Sequence, residues 1–219
     1  MSEPKATALT PELHRYLVDH GTPPDEVLAD LTSATGELGD IALMQIAPEQ
    51  GAFMTLFTRA IGARRAVEVG TFTGYSALCI ARGLPADGHL LCCDVSEEWT
   101  AIARDAWAVA GVDDRIELRI GPAIETLRAL PDTADVDLAF LDADKVGYLD
   151  YYEELVARLR PNGVILVDNV FQGGRVVDDD ADDDSVVAIR AFNAHVADDD
   201  RVDAVMVPIA DGLTFLRKR

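Results

Sequence analysis

The chain has 219 residues, and 39 acidic residues against 19 basic ones give it a formal net charge of −20. This length fits one substantial domain, and a hydrophobic content of 49% is enough for a packed core, which excludes global disorder. The acidity argues against nucleic acid as a partner, because phosphate binding needs a basic surface. No apolar run approaches the roughly 18 residues of a membrane span, and the first residues lack a secretory pattern, so we expect neither feature.

The N-terminal part of the chain, residues 11–62, has the apolar periodicity of helices. A second helix is predicted after Pro23-Pro24, which fit a first helical turn, and a third is predicted to begin at Pro48 and end at Gly62. Residues 1–10 are polar, and we expect them to be frayed.

From residue 64 onward, short apolar runs alternate with amphipathic stretches. The predicted strands are Ala66–Val69, His89–Cys93, Arg115–Ile120, Val136–Leu141, Val164–Val167, Asp203–Val207 and Leu213–Leu216. The predicted helices between them are Tyr75–Arg82, Glu97–Ala110, a short one ending near Leu130, Tyr148–Leu159 and Ser185–Val196. This alternation indicates a parallel sheet covered on both faces, and the closely spaced last two strands are predicted to be antiparallel.

The three cysteines, Cys79, Cys92 and Cys93, all lie within apolar runs and form no disulfide framework. They are predicted to be buried, reduced thiols, which is typical of a cytoplasmic protein.

A glycine-containing turn follows the first strand, from Glu68 to Ser76, with Gly70 and Gly74 four residues apart. It is neither a G-x-G-x-x-G motif nor a Walker A loop. The carboxylate of Glu68 would repel a pyrophosphate, so the turn favours a ligand that is neutral or cationic at this point. A purely structural strand–helix turn is the alternative.

Asp94 follows the second strand, about 20 residues beyond the glycine turn, where an acidic residue can accept hydrogen bonds from both ribose hydroxyls. A helix cap is the alternative role, although Ser96 already fits the N-cap position before the next helix. The turn and Asp94 together indicate a nucleoside.

Polar residues also follow the fourth and fifth strands. Asp142, Asp144 and Lys145 follow one, and Asp168 and Asn169 follow the other. If these strands are neighbours, carboxylate and amide oxygens converge at a site that suits Mg²⁺, Mn²⁺ or Ca²⁺. Lys145 lies within reach of this site and could serve as a base. Helix caps at the aspartates and a surface ion pair at the lysine are the alternatives.

These residues resemble the cation-dependent, S-adenosylmethionine-dependent O-methyltransferases related to caffeoyl-CoA and catechol O-methyltransferases. The resemblance extends from about Met44 to Arg219 and is carried by the order and spacing of several short stretches. They are Gln45–Gly51, Glu68–Ser76, Gly121–Ala123, Asp142–Lys145, Asp168–Asn169 and Pro208–Leu213.

The resemblance implies a role for each matching position. Asp142, Asp168 and Asn169 would bind the cation, with Mg²⁺ preferred, and Lys145 would be the general base. The residues implied for S-adenosylmethionine are Ile46, Glu68, Gly70, Thr71, Ser76, Asp94, Ala123 and Asp144.

The resemblance further implies an α/β class I methyltransferase (Rossmann-like) fold. Its doubly wound, mostly parallel seven-stranded sheet would have an antiparallel last strand and extra N-terminal helices. Residues 1–219 would form one domain, with a helical extension over 1–62 and the cofactor- and metal-binding core over 63–219. Members of the family are commonly homodimers.

The implied activity is methyl transfer to one hydroxyl of a vicinal dihydroxy-aromatic (catechol-type) small molecule. Gln172 stands where plant members carry a substrate-flanking Trp, and no basic cluster for a CoA phosphate is visible, which argues against caffeoyl-CoA itself. Three alternatives remain open from the residues: a nicotinamide-dependent oxidoreductase, a non-catalytic nucleoside-binding protein and a cation-independent methyltransferase.

Overall fold

The structure is a computed structural model that describes residue 5 and residues 7–219. The prediction of a frayed terminus falls in part on residues 1–4 and 6, which lie outside the described residues. Within the described part, the side chain of Thr10 accepts a hydrogen bond from the backbone of Leu13 and caps the first helix.

Eight α-helices and four short 3₁₀ segments are present in the described part of the chain. The α-helices are α1 (Pro11–Asp19), α2 (Glu26–Gly36), α3 (Pro48–Ala60), α4 (Tyr75–Gly83), α5 (Glu97–Ala110), α6 (Ala123–Arg128), α7 (Tyr148–Arg158) and α8 (Asp184–Asp198). The 3₁₀ segments are Gly39–Met44, Asp113–Arg115, Lys145–Gly147 and Gln172–Val177. Over residue 5 and residues 7–219, no helix combines the length and apolar character that crossing a bilayer requires.

Seven strands form one sheet in the order β3-β2-β1-β4-β5-β7-β6. They are β1 (Arg65–Val69), β2 (His89–Asp94), β3 (Ile116–Ile120), β4 (Val136–Leu141), β5 (Leu159–Val167), β6 (Val202–Val207) and β7 (Leu213–Lys218). The pairs from β3 through β5 are parallel, and β7 runs antiparallel to both of its neighbours. The predicted doubly wound sheet with its antiparallel last strand is confirmed.

The sheet is buried between two apolar layers. Every residue of β4 is buried, Asp137 included, as expected for a strand at the centre of a parallel sheet that is covered on both faces. One layer contains Leu78 and Ile80 of α4 together with Leu31 and Met54 of the N-terminal helices. The other contains Tyr152 of α7 and Phe192 of α8. Helices α2 and α3 therefore share the core of the sheet.

Two local predictions differ from the structure. Helix α2 begins at Glu26 with Asp25 as its N-cap, so Pro23-Pro24 precede the helix and are not in its first turn. Strand β5 begins at Leu159, whereas the sequence predicted a helix to that residue and a strand only from Val164. Leu159 pairs with Val136, and an irregularity then absorbs residues 160–163 before regular pairing resumes.

Candidate active site

The carboxyl ends of β1, β2, β4 and β5 surround a cleft of about 790 Å³. A ligand site is expected at this edge of an open α/β sheet. All of the predicted site residues except Glu68 line the cleft. They are Ile46, Gly70, Thr71, Ser76, Asp94, Ala123, Asp142, Asp144, Lys145, Asp168 and Asn169.

Gly70 brings the glycine turn against β4. Its φ of +89° favours glycine, and a Cβ at this position would lie 2.0 Å from the backbone oxygen of Asp142. The backbone amide of Asp142 in turn donates to the carbonyl of Val69 at 2.9 Å. This close approach places the predicted cofactor turn directly beside the first predicted cation ligand.

Glu68 lies behind the cleft and is fully buried in β1. Its Oε2 accepts a weak hydrogen bond from the Cys92 thiol at 3.5 Å, and its Oε1 has no partner among the described residues. Burial raises the pKa of Glu68 to about 8, because the charged form loses its hydration. Its predicted contact with the cofactor stays a prediction.

Asp94 connects the end of β2 to the glycine turn. Its Oδ2 accepts the backbone N–H groups of Thr71 at 2.9 Å and Phe72 at 2.7 Å, and its Oδ1 accepts that of Ser96 at 2.8 Å. A carboxylate has about four acceptor positions, so three are already used. One acceptor position is left in this arrangement, and the predicted hydrogen bonds from both ribose hydroxyls to Asp94 stay a prediction. Ser96 caps α5 as predicted.

An aromatic pair stands beside Asp94. The rings of Phe72 and Trp99 meet edge to face with centroids 5.3 Å apart, and both residues line the cleft. Ala123, at the start of α6, is also buried at this end of the cleft. These apolar surfaces suit the flat base of a nucleoside.

The candidate metal centre lies where β4 and β5 end. These strands are parallel neighbours, with Leu141 paired to Val167, so Asp142 and Asp168 leave the sheet side by side. Asp168 is 2% exposed. Its burial, together with the charge of Asp142, raises the pKa of Asp168 to about 7. A buried carboxylate beside a second, partly buried one fits a bound cation, whose charge would offset their repulsion.

Both oxygens of Asp168 are held by neighbouring groups. The backbone N–H of Asn169 donates to Oδ1 at 2.7 Å, and the side-chain amide of Gln50 donates to Oδ2 at 2.8 Å. Asn169 has a left-handed backbone with φ of 56°, as the chain turns sharply after β5. Asp142, Asp168 and Asn169 together offer only oxygen ligands from their carboxylates and amide, which is the set that hard divalent cations prefer.

Lys145 lies at the same end of the cleft. Its Nζ donates to Asp142 Oδ1 at 2.9 Å and to the Tyr148 hydroxyl at 2.7 Å. Asp144 accepts hydrogen bonds from the Gly147 backbone at 3.0 Å and from the Tyr151 hydroxyl at 2.7 Å. Asp144 thus lines the cleft and also caps the 3₁₀ segment Lys145–Gly147, which is the alternative role that the sequence offered for it.

Sequence reasoning assigned no role to two residues of this site. Tyr148 is fully buried, accepts the Lys145 hydrogen bond and donates to the Asp168 carbonyl at 3.2 Å. Its position three residues after Lys145 was the available signal. Gln50 was part of a stretch that carried the resemblance, but its contact with Asp168 spans 118 positions and is visible only in the fold.

The four histidines were predicted to lie outside the site, and none of them lines the cleft among the described residues. His195 forms a cluster with Glu153 and Asp199 whose geometry could hold a metal ion. The guanidinium of Arg201 already pairs with both carboxylates, at 2.8 Å and 2.5 Å. Arg201 therefore already pairs with the carboxylates that a metal ion would need.

Comparison with known proteins identifies the class. Residues 19–219 match the family described as "O-methyltransferase". The chain is 39% identical over 207 residues to "Probable caffeoyl-CoA O-methyltransferase 1" of Dictyostelium discoideum, covering 93% of this chain and 90% of that protein. The protein is thus a methyltransferase with a class I methyltransferase fold.

Two solved structures resemble the fold closely. An O-methyltransferase from Bacillus cereus in complex with SAH has a TM-score of 0.86 at 30% identity, covering 95% of this chain and 97% of that one. The O-methyltransferase TomG from Streptomyces achromogenes, solved with SAM, has a TM-score of 0.85 at 31% identity, covering 94% and 96%.

The chain belongs to the O-methyltransferase family, and the predicted family is confirmed. The cofactor-bound members support the predicted use of S-adenosylmethionine. The alternative of a nicotinamide-dependent oxidoreductase is not supported, and family membership sets aside a non-catalytic nucleoside-binding protein.

Proposed function

We propose that this O-methyltransferase transfers the methyl group of S-adenosylmethionine to one hydroxyl of a vicinal dihydroxy-aromatic molecule, with the help of a divalent cation. One observation carries the proposal: Asp142 and Asp168 meet at the end of adjacent strands, beside a cleft that suits a nucleoside cofactor. Neither the pair of carboxylates nor the cleft would by itself favour cation-assisted methyl transfer.

The cofactor half of the proposal rests on the glycine turn, Asp94 and the aromatic pair Phe72 and Trp99. These groups offer the surfaces that a nucleoside with a cationic sulfonium tail requires: one ribose acceptor, a flat apolar pocket and no arginine among the described residues that line the cleft. The complexes named SAM- and SAH-bound above are consistent with this use.

The cation would be held by Asp142, Asp168 and Asn169, with Mg²⁺ preferred and Mn²⁺ or Ca²⁺ as alternatives. When bound, it would supply Lewis-acid chemistry that makes an aromatic hydroxyl more acidic and holds its neighbour in place. The fit rests on the oxygen-only donor set and on the repulsion between buried Asp168 and partly buried Asp142. A cation-independent methyltransferase remains the competing proposal.

The chain's own residues would perform the proton transfer and the positioning. Once its ammonium group has released a proton to solvent, Lys145 accepts the hydroxyl proton at Nζ, which Asp142 and Tyr148 hold in place. The phenolate oxygen then forms a bond to the methyl carbon as the carbon–sulfur bond breaks, and the electron pair leaves with sulfur to give S-adenosylhomocysteine. Holding the two reactants in contact contributes up to about 7–11 kcal/mol in favourable cases.

The decisive experiment is a screen of S-adenosylmethionine with a labelled methyl group against a panel of catechols, with Mg²⁺ and with excess chelator. We expect label transfer only when the cation is present, and Asp142→Ala to abolish cation-stimulated turnover. Exposed Asp203 pairs with Arg217 and is not among the residues that line the cleft, so Asp203→Ala is a suitable control. Full activity in chelator, or in Asp142→Ala, would contradict the cation role.

The acceptor is proposed only as a class. The names of the relatives point to phenolic acceptors in those proteins. At the position of the plant Trp, the Gln172 amide donates to the Asn169 carbonyl at 2.9 Å and does not line the cleft, which supports an acceptor other than caffeoyl-CoA. The homodimer and the cytoplasmic location stay predictions. Light scattering would test the first, and the three buried free cysteines support the second.

A further inference from the structure

We propose that Gln50 is a positioning residue that orients the Asp168 carboxylate and thereby sets the affinity of the site for its divalent cation. The inference rests on the proposed cation dependence and assigns a function to a side chain of α3. Gln50 is 1% exposed and lines the cleft. Its side-chain amide donates to Asp168 Oδ2 at 2.8 Å across 118 positions of sequence.

The two hydrogen bonds on Asp168 define the orientation of its carboxylate. Gln50 holds Oδ2, and the backbone of Asn169 holds Oδ1. Each oxygen uses one acceptor position for these bonds and keeps another for a cation. Without Gln50, the carboxylate would be held at one oxygen only and could rotate away from Asp142. Groups that orient the ligands of a metal commonly have large effects on its affinity.

The chemistry of an amide suits this position. A lysine or arginine would also hold Asp168, but its charge would compete with the cation, whereas the Gln50 amide is a neutral donor. The other amide atom, Oε1, is buried and has no partner among the described residues. An unsatisfied buried acceptor costs about 1–3 kcal/mol, so packing alone does not favour glutamine here.

Gln45 provides a matched comparison. It lines the same cleft, and its own buried Oε1 likewise has no partner among the described residues. Its amide donates to the Thr32 hydroxyl at 3.1 Å and not to a candidate cation ligand. The two glutamines therefore differ in the contact with Asp168, which we propose sets the affinity for the cation.

The test measures Mn²⁺ binding to the full chain by electron paramagnetic resonance, without any turnover. Gln50→Met keeps the side-chain length and removes the donor. We expect it to weaken Mn²⁺ binding by about 10- to 100-fold, as for other groups that orient metal ligands. Binding of S-adenosylhomocysteine should change far less, and Gln45→Met should bind Mn²⁺ as the wild type does.

Gln50→Asn is the second variant, in case the methionine side chain disturbs folding. It keeps an amide but shortens the side chain by one methylene, so the bond to Asp168 is lost and weakened Mn²⁺ binding is again expected. Wild-type affinity in a folded Gln50 variant would overturn the inference and leave the proposed function intact. A wild-type chain that binds no Mn²⁺ would overturn both.

Discussion

The ammonium nitrogen of Lys145 lies 2.9 Å from Asp142 Oδ1 and is also bonded to the buried hydroxyl of Tyr148. This ion pair joins the proposed general base to a proposed cation ligand. The side chain of Lys145 is 15% exposed, so the ion pair is largely shielded from water. Proton transfer and cation binding are therefore expected to depend on the same small group of atoms.

Lys145→Met is expected to lower kcat by about 10²- to 10⁴-fold, the usual contribution of a positioned acid or base. The affinity for S-adenosylmethionine should change little, because the glycine turn and Asp94 hold the cofactor in the proposal. Steady-state kinetics and a separate cofactor titration would measure the two effects. An unchanged kcat would remove Lys145 as the base.

Tyr148→Phe tests whether the buried phenol positions that base. Burial holds the pKa of Tyr148 well above its usual range, so its hydroxyl stays protonated and accepts the Lys145 bond. Its loss should lower kcat by about 10- to 150-fold, since a hydrogen bond to a charged group contributes about 1.5–3 kcal/mol. The pH dependence of kcat should shift along with it, and a purely structural role would leave that dependence unchanged. Tyr151→Phe is the matched control, because its hydroxyl bonds to Asp144.

Glu68 gives a pH-dependent stability prediction. Burial raises its folded-state pKa to about 8 from an ordinary value of 4.5. Between these values the folded state holds a proton that the unfolded state has lost, so the stabilising contribution of protonated Glu68 declines as pH rises and is lost above about 8. Glu68→Gln should therefore make the free energy of unfolding depend less on pH. The difference across this pH range should be at most a few kcal/mol, on the order of magnitude of the pKa shift.

Thermal unfolding of the cofactor-free chain at about pH 5 and about pH 9 would measure the effect of Glu68. The exposed Glu98, in the first turn of α5, provides the control variant Glu98→Gln. The stability of this variant should decline with pH as that of the wild type does. A Glu68→Gln chain with the same pH dependence as the wild type would mean that the glutamate is not protonated in the folded state.

Much of the site could be predicted because its residues follow strands directly. A strand that ends in Asp142 or Asp168 places that side chain at the carboxyl edge of any parallel sheet. The sequence did not establish that β4 and β5 are neighbours, since strand order depends on packing between distant segments. Gln50 was missed for this reason, as its helix reaches Asp168 only in the folded chain.

The boundary of β5 was missed for a local reason. Pro161, Asn162 and Gly163 are typical of a turn, and Asn162 does adopt a left-handed backbone with φ of 63°. The pairing of Leu159 with Val136 nevertheless begins the strand before this irregularity. Tertiary pairing at the centre of the sheet therefore prevailed over the turn signal, which is a common reason for misplaced strand ends.

The last prediction concerns the charge of the acceptor. Lys145 is the sole cationic residue among the described residues that line the cleft, and five aspartates line it as well. Those aspartates are Asp94, Asp142, Asp144, Asp168 and Asp211. The charges of a bound divalent cation and of a sulfonium would offset the inner carboxylates, but Asp211 stands on the turn between β6 and β7. A catechol with an ammonium side chain should therefore have a higher kcat/KM than one with a carboxylate, by about tenfold for an interaction of about 1.4 kcal/mol.

Added salt should reduce this preference, because charges near the opening of a cleft are screened. Asp211→Asn should reduce it as well, while its remaining side-chain oxygen can still accept the Gly173 backbone N–H, now at 2.7 Å from Asp211 Oδ1. Competition between the two catechols in one reaction, with products separated by mass, measures the ratio directly. A preference for the carboxylate that is insensitive to salt would show that the acidic cleft does not select its acceptor by charge.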